Sequence, residues 1–130
     1  MMPVMPRKRI LVIDDNADHL FLDKTILESG DYEVFTAQSG QEALATLSKI
    51  SRPDLILLDM QLNEMSGLEF LTVLEEKKPE ILETVPVVFL TASETVPPSR
   101  ARGFIRKPLE IDNFLREVKR FIELRAGPAQ

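Results

Sequence analysis

The chain has 130 residues, 44% of them hydrophobic and 28% charged, which is the size and composition of one globular domain with one core. Its net charge of -5 makes nucleic acid an unfavourable partner, because phosphate backbones are bound by basic surfaces. With no cysteine and one histidine, the sequence excludes disulfides, thiolate metal sites and sites that need two imidazoles. Metal sites built from oxygen ligands remain.

The sequence contains no targeting or membrane segment that we recognise. Its first nine residues combine two prolines with a basic cluster, and no segment approaches the ~18 apolar residues of a membrane span. We therefore expect a cytoplasmic protein with no membrane contact and no direct DNA binding. Residues 1–7 are expected to be a disordered leader, residues 8–125 the single domain, and residues 126–130 a tail.

Five short apolar segments predict β-strands. They are Ile10–Ile13, Val34–Phe35, Leu55–Leu58, Val85–Leu90 and Phe104–Ile105. Continuous apolar segments without alternation are typical of strands that are buried on both faces of a parallel sheet.

Helical patterns separate these segments. The first, rich in leucine, ends near Gly30, and two others begin at the S-x-x-E capping boxes Ser39–Glu42 and Ser66–Glu69. The third helix is expected to end before Pro79, and the last carries an apolar stripe over residues 111–122. Alternating strands and helices predict an α/β fold with a doubly wound parallel sheet.

Polar residues follow four of the predicted strands. Asp14 and Asp15 follow the first strand, Asp59 the third, Thr91 the fourth and Lys107 the fifth. The carboxyl ends of parallel strands lie at one edge of a sheet, where ligands bind. Neighbouring carboxylates repel unless a cation compensates them, and Mg²⁺ prefers such oxygen ligands. With an ammonium and a hydroxyl nearby, the pattern predicts phosphoryl transfer onto a carboxylate.

Each of these residues also has a purely structural interpretation. Asp14 or Asp15 could cap the first helix, Asp59 could lie in a turn, and Lys107 could be a surface lysine. Their placement at equivalent strand ends favours a shared site instead. The five glycines form no phosphate-binding loop, so no nucleotide site is predicted. His19 is expected to be an exposed or half-buried residue of the first helix without a functional role.

Four motifs of the chain resemble the receiver domains of two-component response regulators, and the likeness covers residues 8 to about 124. They are Ile10–Asn16, Asp54–Asp59 followed by Met65–Gly67, Pro86–Ala92 and Gly103–Pro108. The resemblance implies a five-stranded, flavodoxin-like sheet with the order 2-1-3-4-5. It also implies a stand-alone receiver that takes a phosphoryl group from a histidine kinase or phosphotransfer protein and signals by conformational switching to a protein partner.

The resemblance further implies roles for the charged residues of the site. Asp59 would be the phosphoacceptor. Mg²⁺ would be bound directly by Asp15, Asp59 and the backbone carbonyl of Gln61, and through water by Asp14. Lys107 would contact a phosphoryl oxygen and Asp59. The chain would then catalyse only its own phosphorylation and dephosphorylation.

The remaining roles that the resemblance implies concern the switch. Thr91 would donate a hydrogen bond to the phosphoryl group, aided by the backbone amides of Met60 and Ala92. Phe104 would be the aromatic switch that turns inward as Thr91 moves. The Lys107–Pro108 peptide bond is expected to be cis, which would direct the lysine toward the site.

The sequence departs from the family pattern in three places. Asn63 stands where a proline is usual, which would loosen the loop after the acceptor. Phe104 lacks a hydroxyl, so it can report switching only through packing. The interval from Thr91 to Phe104 is short and contains Pro97 and Pro98, which predicts a shortened or irregular fourth helix. We expect a monomer after phosphorylation, or a dimer formed through the first and last helices.

Two alternative functions remain at this stage. An aspartate-nucleophile phosphatase of similar fold would carry a D-x-D motif, whereas Asp59 is followed by Met60 and Gln61. A pseudo-receiver that serves only as an interaction module is disfavoured by the intact set of acidic, hydroxyl and lysine residues.

Overall fold

The computed structural model describes residues 6–93, 95–107 and 110–126, which contain five strands and five helices. In chain order these are β1 (Arg9–Ile13), α1 (Ala17–Ser29), β2 (Glu33–Ala37), α2 (Gly40–Ile50), β3 (Leu55–Asp59), α3 (Gly67–Lys77), α4 (Pro79–Thr84), β4 (Val87–Thr91), β5 (Gly103–Arg106) and α5 (Ile111–Ala126). The strands form one parallel sheet in the order β2-β1-β3-β4-β5. The predicted fold class and strand order are confirmed.

Helices cover both faces of the sheet, and each face has its own core. One core contains Phe70 of α3 and Phe89 of β4, and the other contains Leu27 of α1 and Phe114 of α5. All four of these side chains are fully buried. Packing on both faces explains why the central strands are continuously apolar in sequence.

The two capping boxes differ in how completely they form. Around Ser66, the hydroxyl accepts from the Glu69 amide at 3.0 Å while the Glu69 carboxylate accepts from the Ser66 amide at 2.8 Å. Ser39 likewise accepts from the Glu42 amide, but the Glu42 carboxylate accepts instead from the amide of Gln38. Both helices begin where the sequence predicts, since one capping bond suffices to mark the start.

The structure contains one short helix, α4, that the sequence patterns do not predict. The sequence pattern assigns Pro79 only to the end of the third helix, and α3 does end at Lys77, two residues before it. Pro79 also occupies the first turn of α4, where a missing amide donor costs nothing and its fixed φ suits the helix. Ile81 and Leu82 then bury the helix against the sheet.

The described part of the connection from β4 to β5, residues 92–93 and 95–102, contains no helix. This agrees with the predicted shortened or irregular fourth helix, and α4 does not replace that helix because it precedes β4. Val96 and Ala101 from the connection pack, partly buried, against the same core as Phe104.

None of the described helices is both long and apolar enough to cross a membrane. Residues 1–5 of the expected leader and residues 127–130 of the expected tail lie outside the described residues. So does Pro108, and with it the expected cis peptide bond.

Candidate functional site

Three carboxylates meet at the carboxyl edge of the sheet. Asp14 and Asp15 directly follow β1, and Asp59 is the last residue of the neighbouring strand β3. Each offers one oxygen, and these three oxygens lie within 4.8 Å of one another. The parallel register, which pairs Ile13 with Leu58, brings the residues together. The structure therefore brings these three carboxylates together, and their roles as metal ligands and phosphoacceptor stay predictions.

Asp14 lies at the buried base of the cluster. One of its oxygens, Oδ1, accepts from the Asn16 amide at 2.9 Å, whereas the buried Oδ2 has no hydrogen-bond partner among the described residues. Burial raises the pKa of Asp14, and the neighbouring charge of Asp59 raises it further. A buried carboxylate oxygen without a hydrogen bond, within a cluster of acids, fits a position that a cation would satisfy.

The first helix is capped by Asn16, so neither aspartate of the cluster has that structural role. The Asn16 side chain accepts from the His19 amide at 3.0 Å, one turn into α1. Neither Asp14 nor Asp15 is therefore needed as the cap of this helix.

Lys107 extends from the end of β5 into the cluster. Its Nζ lies 3.6 Å from Asp59 Oδ2 and 3.8 Å from Asp14 Oδ2, and the lysine side chain is about three quarters buried. The Lys107 amide donates to the Thr91 carbonyl at 2.8 Å, which fixes the end of β5 beside the end of β4. The predicted lysine is therefore at the site.

Thr91 closes β4 at the same edge and is buried. Its Oγ1 accepts from the Ser93 amide at 3.0 Å, which leaves the hydroxyl hydrogen free to point elsewhere. Ala92 is exposed, and Phe104 is half-buried in the adjacent strand. The roles of Thr91, Ala92 and Phe104 stay predictions.

The loop after Asp59 is tightly closed. The Gln61 amide donates to Asp59 Oδ1 at 3.2 Å, and the Gly67 amide donates to the Met60 carbonyl at 2.6 Å. These bonds connect both ends of the loop to neighbouring residues, and the loosening expected from Asn63 stays a prediction.

Gly67 is required by the close approach of α3 to this loop, and we predict that Gly67→Ala destabilises the fold. An added Cβ would lie 2.7 Å from the Asp59 carbonyl oxygen and 2.8 Å from a ring carbon of Phe89. Such overpacking should lower the free energy of unfolding by about 2 kcal/mol or more, measured by urea denaturation.

The control is Gly30→Ala, where the nearest atom is the flexible end of Leu115 at 2.9 Å. That side chain can move aside, so the control should lose well under half as much stability. Equal losses in the two variants would contradict the argument.

Asp23 is a buried acid that the sequence analysis missed. It lies three residues after Leu20 on the inner face of α1 and is only 3% exposed. Burial, and then the charge of Asp14, raise its pKa to about 6. By contrast, Phe21 and Leu22 on the same helix are 73% and 53% exposed. The sequence signal for the burial of Asp23 is its spacing of three residues from Leu20, which places both side chains on the same face of the helix.

His19 is half exposed, as expected, but its position was not anticipated. Its Nδ1 lies 3.5 Å from Asp14 Oδ2, the oxygen that accepts no hydrogen bond from the described residues, so the imidazole lies at the rim of the carboxylate cluster.

Comparison with known proteins identifies the family. Residues 10–119 match the family model described as the response regulator receiver domain. The chain therefore belongs to the response regulator receiver family, the signalling domains of two-component systems.

Individual relatives agree over nearly the whole chain. The polar-differentiation response regulators DivK of Brucella ovis and Brucella abortus are 33% identical over 121 residues, which is 88% of this chain and 96% of theirs. The structure of the chemotaxis protein CheY4 of Vibrio cholerae superposes with a TM-score of 0.78 at 28% identity, covering 89% of this chain and 99% of that one. The response regulator TrrA of Thermotoga maritima, in complex with Mg²⁺-BeF, gives 0.74 at 30% identity, covering 88% and 98%.

Proposed function

We propose that Asp59 accepts a phosphoryl group from a phosphohistidine of a sensor kinase or phosphotransfer protein, in the cytoplasm, and that the domain then signals to a protein partner. The observation that carries this proposal is the cluster of three carboxylates with Lys107 at one edge of the sheet. No reaction beyond its own phosphorylation and dephosphorylation is proposed for the chain.

The transfer forms one bond and breaks one. A carboxylate oxygen of Asp59 attacks phosphorus, the bond between phosphorus and the donor imidazole nitrogen breaks, and that nitrogen leaves with the electron pair. Asp59 suits this role better than Asp14, because its side chain is 17% exposed whereas that of Asp14 is fully buried. An incoming phosphoryl group can therefore reach Asp59.

The donor set at the site fits magnesium. Asp15, Asp59 and the carbonyl of Gln61 would hold the ion directly, and Asp14 would do so through water, which gives the all-oxygen ligands that Mg²⁺ prefers. The ion would supply positive charge that stabilises the phosphoryl oxygens during transfer. TrrA, which is 30% identical to this chain, has been solved in complex with Mg²⁺-BeF, and this similarity supports the assignment of Mg²⁺.

Lys107 and Thr91 would hold the phosphoryl group once it is attached. The ammonium of Lys107 already contacts Asp59 and would bind a phosphoryl oxygen. The Thr91 hydroxyl keeps its hydrogen available, because its oxygen is the acceptor in the bond from Ser93. Movement of Thr91 toward the phosphoryl group, with the amides of Met60 and Ala92 assisting, would leave space for Phe104 to repack.

We predict that Asp15→Ala weakens Mg²⁺ binding at least about tenfold and abolishes phosphorylation, because it removes a carboxylate ligand. It should also make the metal-free protein more stable, since one of three crowded charges is lost. Titration calorimetry and thermal unfolding in a chelator measure the two effects.

The control for this variant is Asp18→Ala, which removes an exposed acid from the first turn of α1. Its Mg²⁺ affinity should stay within about twofold of the wild type, because long-range charge effects at the surface are weak. Unchanged Mg²⁺ affinity in Asp15→Ala would exclude Asp15 as a ligand.

The proposed function is tested by incubating the purified chain with acetyl phosphate and Mg²⁺ and measuring its intact mass. We expect the addition of one phosphoryl group, stable in acid and lost in base, as an acyl phosphate requires. Absence of the adduct would contradict the proposal. An adduct that survives neutral hydroxylamine, which cleaves acyl phosphates but not phosphate esters, would indicate a hydroxyl acceptor instead.

A further inference from the structure

We propose that His19 is an additional metal ligand at the carboxylate cluster, so that the site binds imidazole-preferring transition ions such as Zn²⁺ more tightly than Mg²⁺. The inference rests on the metal site of the proposed function and extends it to the choice of metal. His19 is the only histidine of the chain, and its imidazole nitrogen faces the only buried oxygen of the described side chains without a hydrogen bond.

The distance between the two atoms fits shared coordination better than a hydrogen bond. His19 Nδ1 and Asp14 Oδ2 are 3.5 Å apart, which is longer than a normal N–H···O bond. Two ligands at ordinary Zn–N and Zn–O distances on one tetrahedral Zn²⁺ are separated by about 3.4 Å. A zinc ion could therefore bridge the two atoms with little movement of either residue.

Local structure fixes the backbone from which the imidazole extends. The Asn16 amide donates to Asp14 Oδ1 at 2.9 Å, and the Asn16 side chain accepts from the His19 amide at 3.0 Å. This chain of hydrogen bonds ties the first turn of α1 to the aspartate that faces the imidazole. Because His19 is about half exposed, the open side of the site is left for water or a phosphoryl oxygen.

The chemistry of the ligand atoms determines which metal ion the site should prefer. Carboxylates alone suit Mg²⁺, whereas an imidazole nitrogen strengthens the binding of Zn²⁺ far more than that of Mg²⁺. Asp14, Asp15 and Asp59 offer three oxygens that lie within 4.8 Å of one another, and His19 borders this group at Asp14. If its exposed imidazole turns toward the cluster, it adds one nitrogen to the oxygen ligands, a donor combination within the range of zinc sites.

The test is titration calorimetry of the wild type, His19→Ala and Phe21→Ala with Zn²⁺ and with Mg²⁺ at pH 8. His19→Ala should lower Zn²⁺ affinity at least about tenfold and change Mg²⁺ affinity less than twofold. The capping bond survives this substitution, because it uses the His19 backbone amide. Phe21→Ala, a change at a 73% exposed residue of the same helix, should leave both affinities unaltered.

A second readout detects the ligand itself. Because the chain has one histidine, selective ¹⁵N labelling gives the imidazole resonances of His19 alone. Addition of Zn²⁺ should shift its Nδ1 resonance in the wild type, and Asp14→Asn should weaken Zn²⁺ binding, as shared coordination requires.

The outcomes separate this inference from the proposed function. Equal loss of Zn²⁺ and Mg²⁺ affinity in His19→Ala, no loss of Zn²⁺ affinity, or an unmoved Nδ1 resonance would each overturn the role of His19 while leaving the Mg²⁺ site intact. Zn²⁺ binding that is insensitive to Asp14→Asn would overturn it as well, because the ion would then bind a surface histidine. Failure of both metals to bind the wild type would overturn the metal site of the proposed function.

Discussion

Replacement of Asp23 by leucine should stabilise the folded chain by about 3 kcal/mol at pH 8. The pKa of this buried carboxyl is raised from 3.8 to about 6, so keeping it ionised in the folded state costs roughly 1.4 kcal/mol for each pH unit of the shift. Leucine removes that cost and places an apolar side chain beside Leu20 and Leu27 in the core. Urea denaturation of both proteins at pH 8 measures the difference.

The raised pKa of Asp23 makes the stability of the folded chain depend on pH. Because its pKa is higher in the folded state, the folded chain binds more protons than the unfolded chain between pH 3.8 and about 6. The contribution of Asp23 to stability therefore falls as the pH rises through this interval, and the full penalty is present above it. The advantage of Asp23→Leu should thus be large at pH 8 and much smaller near pH 4.

The matched control is Asp23→Asn, which keeps the shape of the side chain and removes its charge. It should lose the same pH dependence, with a smaller gain in stability, because a buried amide still lacks the solvation it has in water. An advantage for leucine that is equal at pH 4 and pH 8 would show that packing, and not charge burial, is responsible.

Replacement of Asp59 by asparagine should abolish phosphorylation by acetyl phosphate while leaving the fold intact. The amide has nearly the same shape but does not attack phosphorus as a carboxylate does. Removal of one charge from the cluster should also relieve repulsion on Asp14, whose pKa is raised partly by Asp59. The intact mass after treatment with acetyl phosphate measures the loss of phosphorylation, and circular dichroism measures whether the fold is intact.

Asp54→Asn provides the matched control, since Asp54 precedes β3 and lies at its opposite end from Asp59. Its carboxylate accepts from the Arg9 amide, so the substitution affects local bonding but not the site. This variant should be labelled like the wild type. Equal labelling of Asp59→Asn and the wild type would place the acceptor elsewhere.

Much of the fold could be predicted because local sequence and topology agree. Apolar segments such as Leu55–Leu58 are long enough for strands and too short for helices, and Ser66 with Glu69 marks a helix start through its own hydrogen bonds. Once the sheet is parallel, the residues that follow the strands must meet at one edge. The grouping of Asp14, Asp59 and Lys107 needs no further information.

Other features depend on tertiary packing, which single-residue patterns do not report. Pro79 both follows one helix and begins another, and the burial of Ile81 decides the second. The burial of Asp23 and the exposure of Phe21 depend on how α1 is rotated against the sheet. The proximity of His19 to Asp14 depends on that same rotation, since an imidazole on the outer side would face solvent.

The irregular connection between β4 and β5 affects the surface through which the domain would signal to a partner. Receiver domains commonly signal through the surface of their fourth helix, fifth strand and fifth helix, and the described residues 95–102 supply no such helix. The expectation of a monomer, or of a dimer formed through α1 and α5, therefore stays a prediction, to be measured by light scattering with and without phosphorylation.

The most direct measurement of the central claim is the position of the phosphoryl group after treatment with acetyl phosphate and Mg²⁺. Borohydride reduces an acyl phosphate of aspartate to homoserine, and trypsin then releases the segment 50–77, because Arg52 precedes a proline and is not cleaved. Tandem mass spectrometry of that peptide should find homoserine at position 59 and unmodified aspartate at position 54. Homoserine at any other position, or none in a phosphorylated sample, would contradict the assignment of Asp59 as the acceptor.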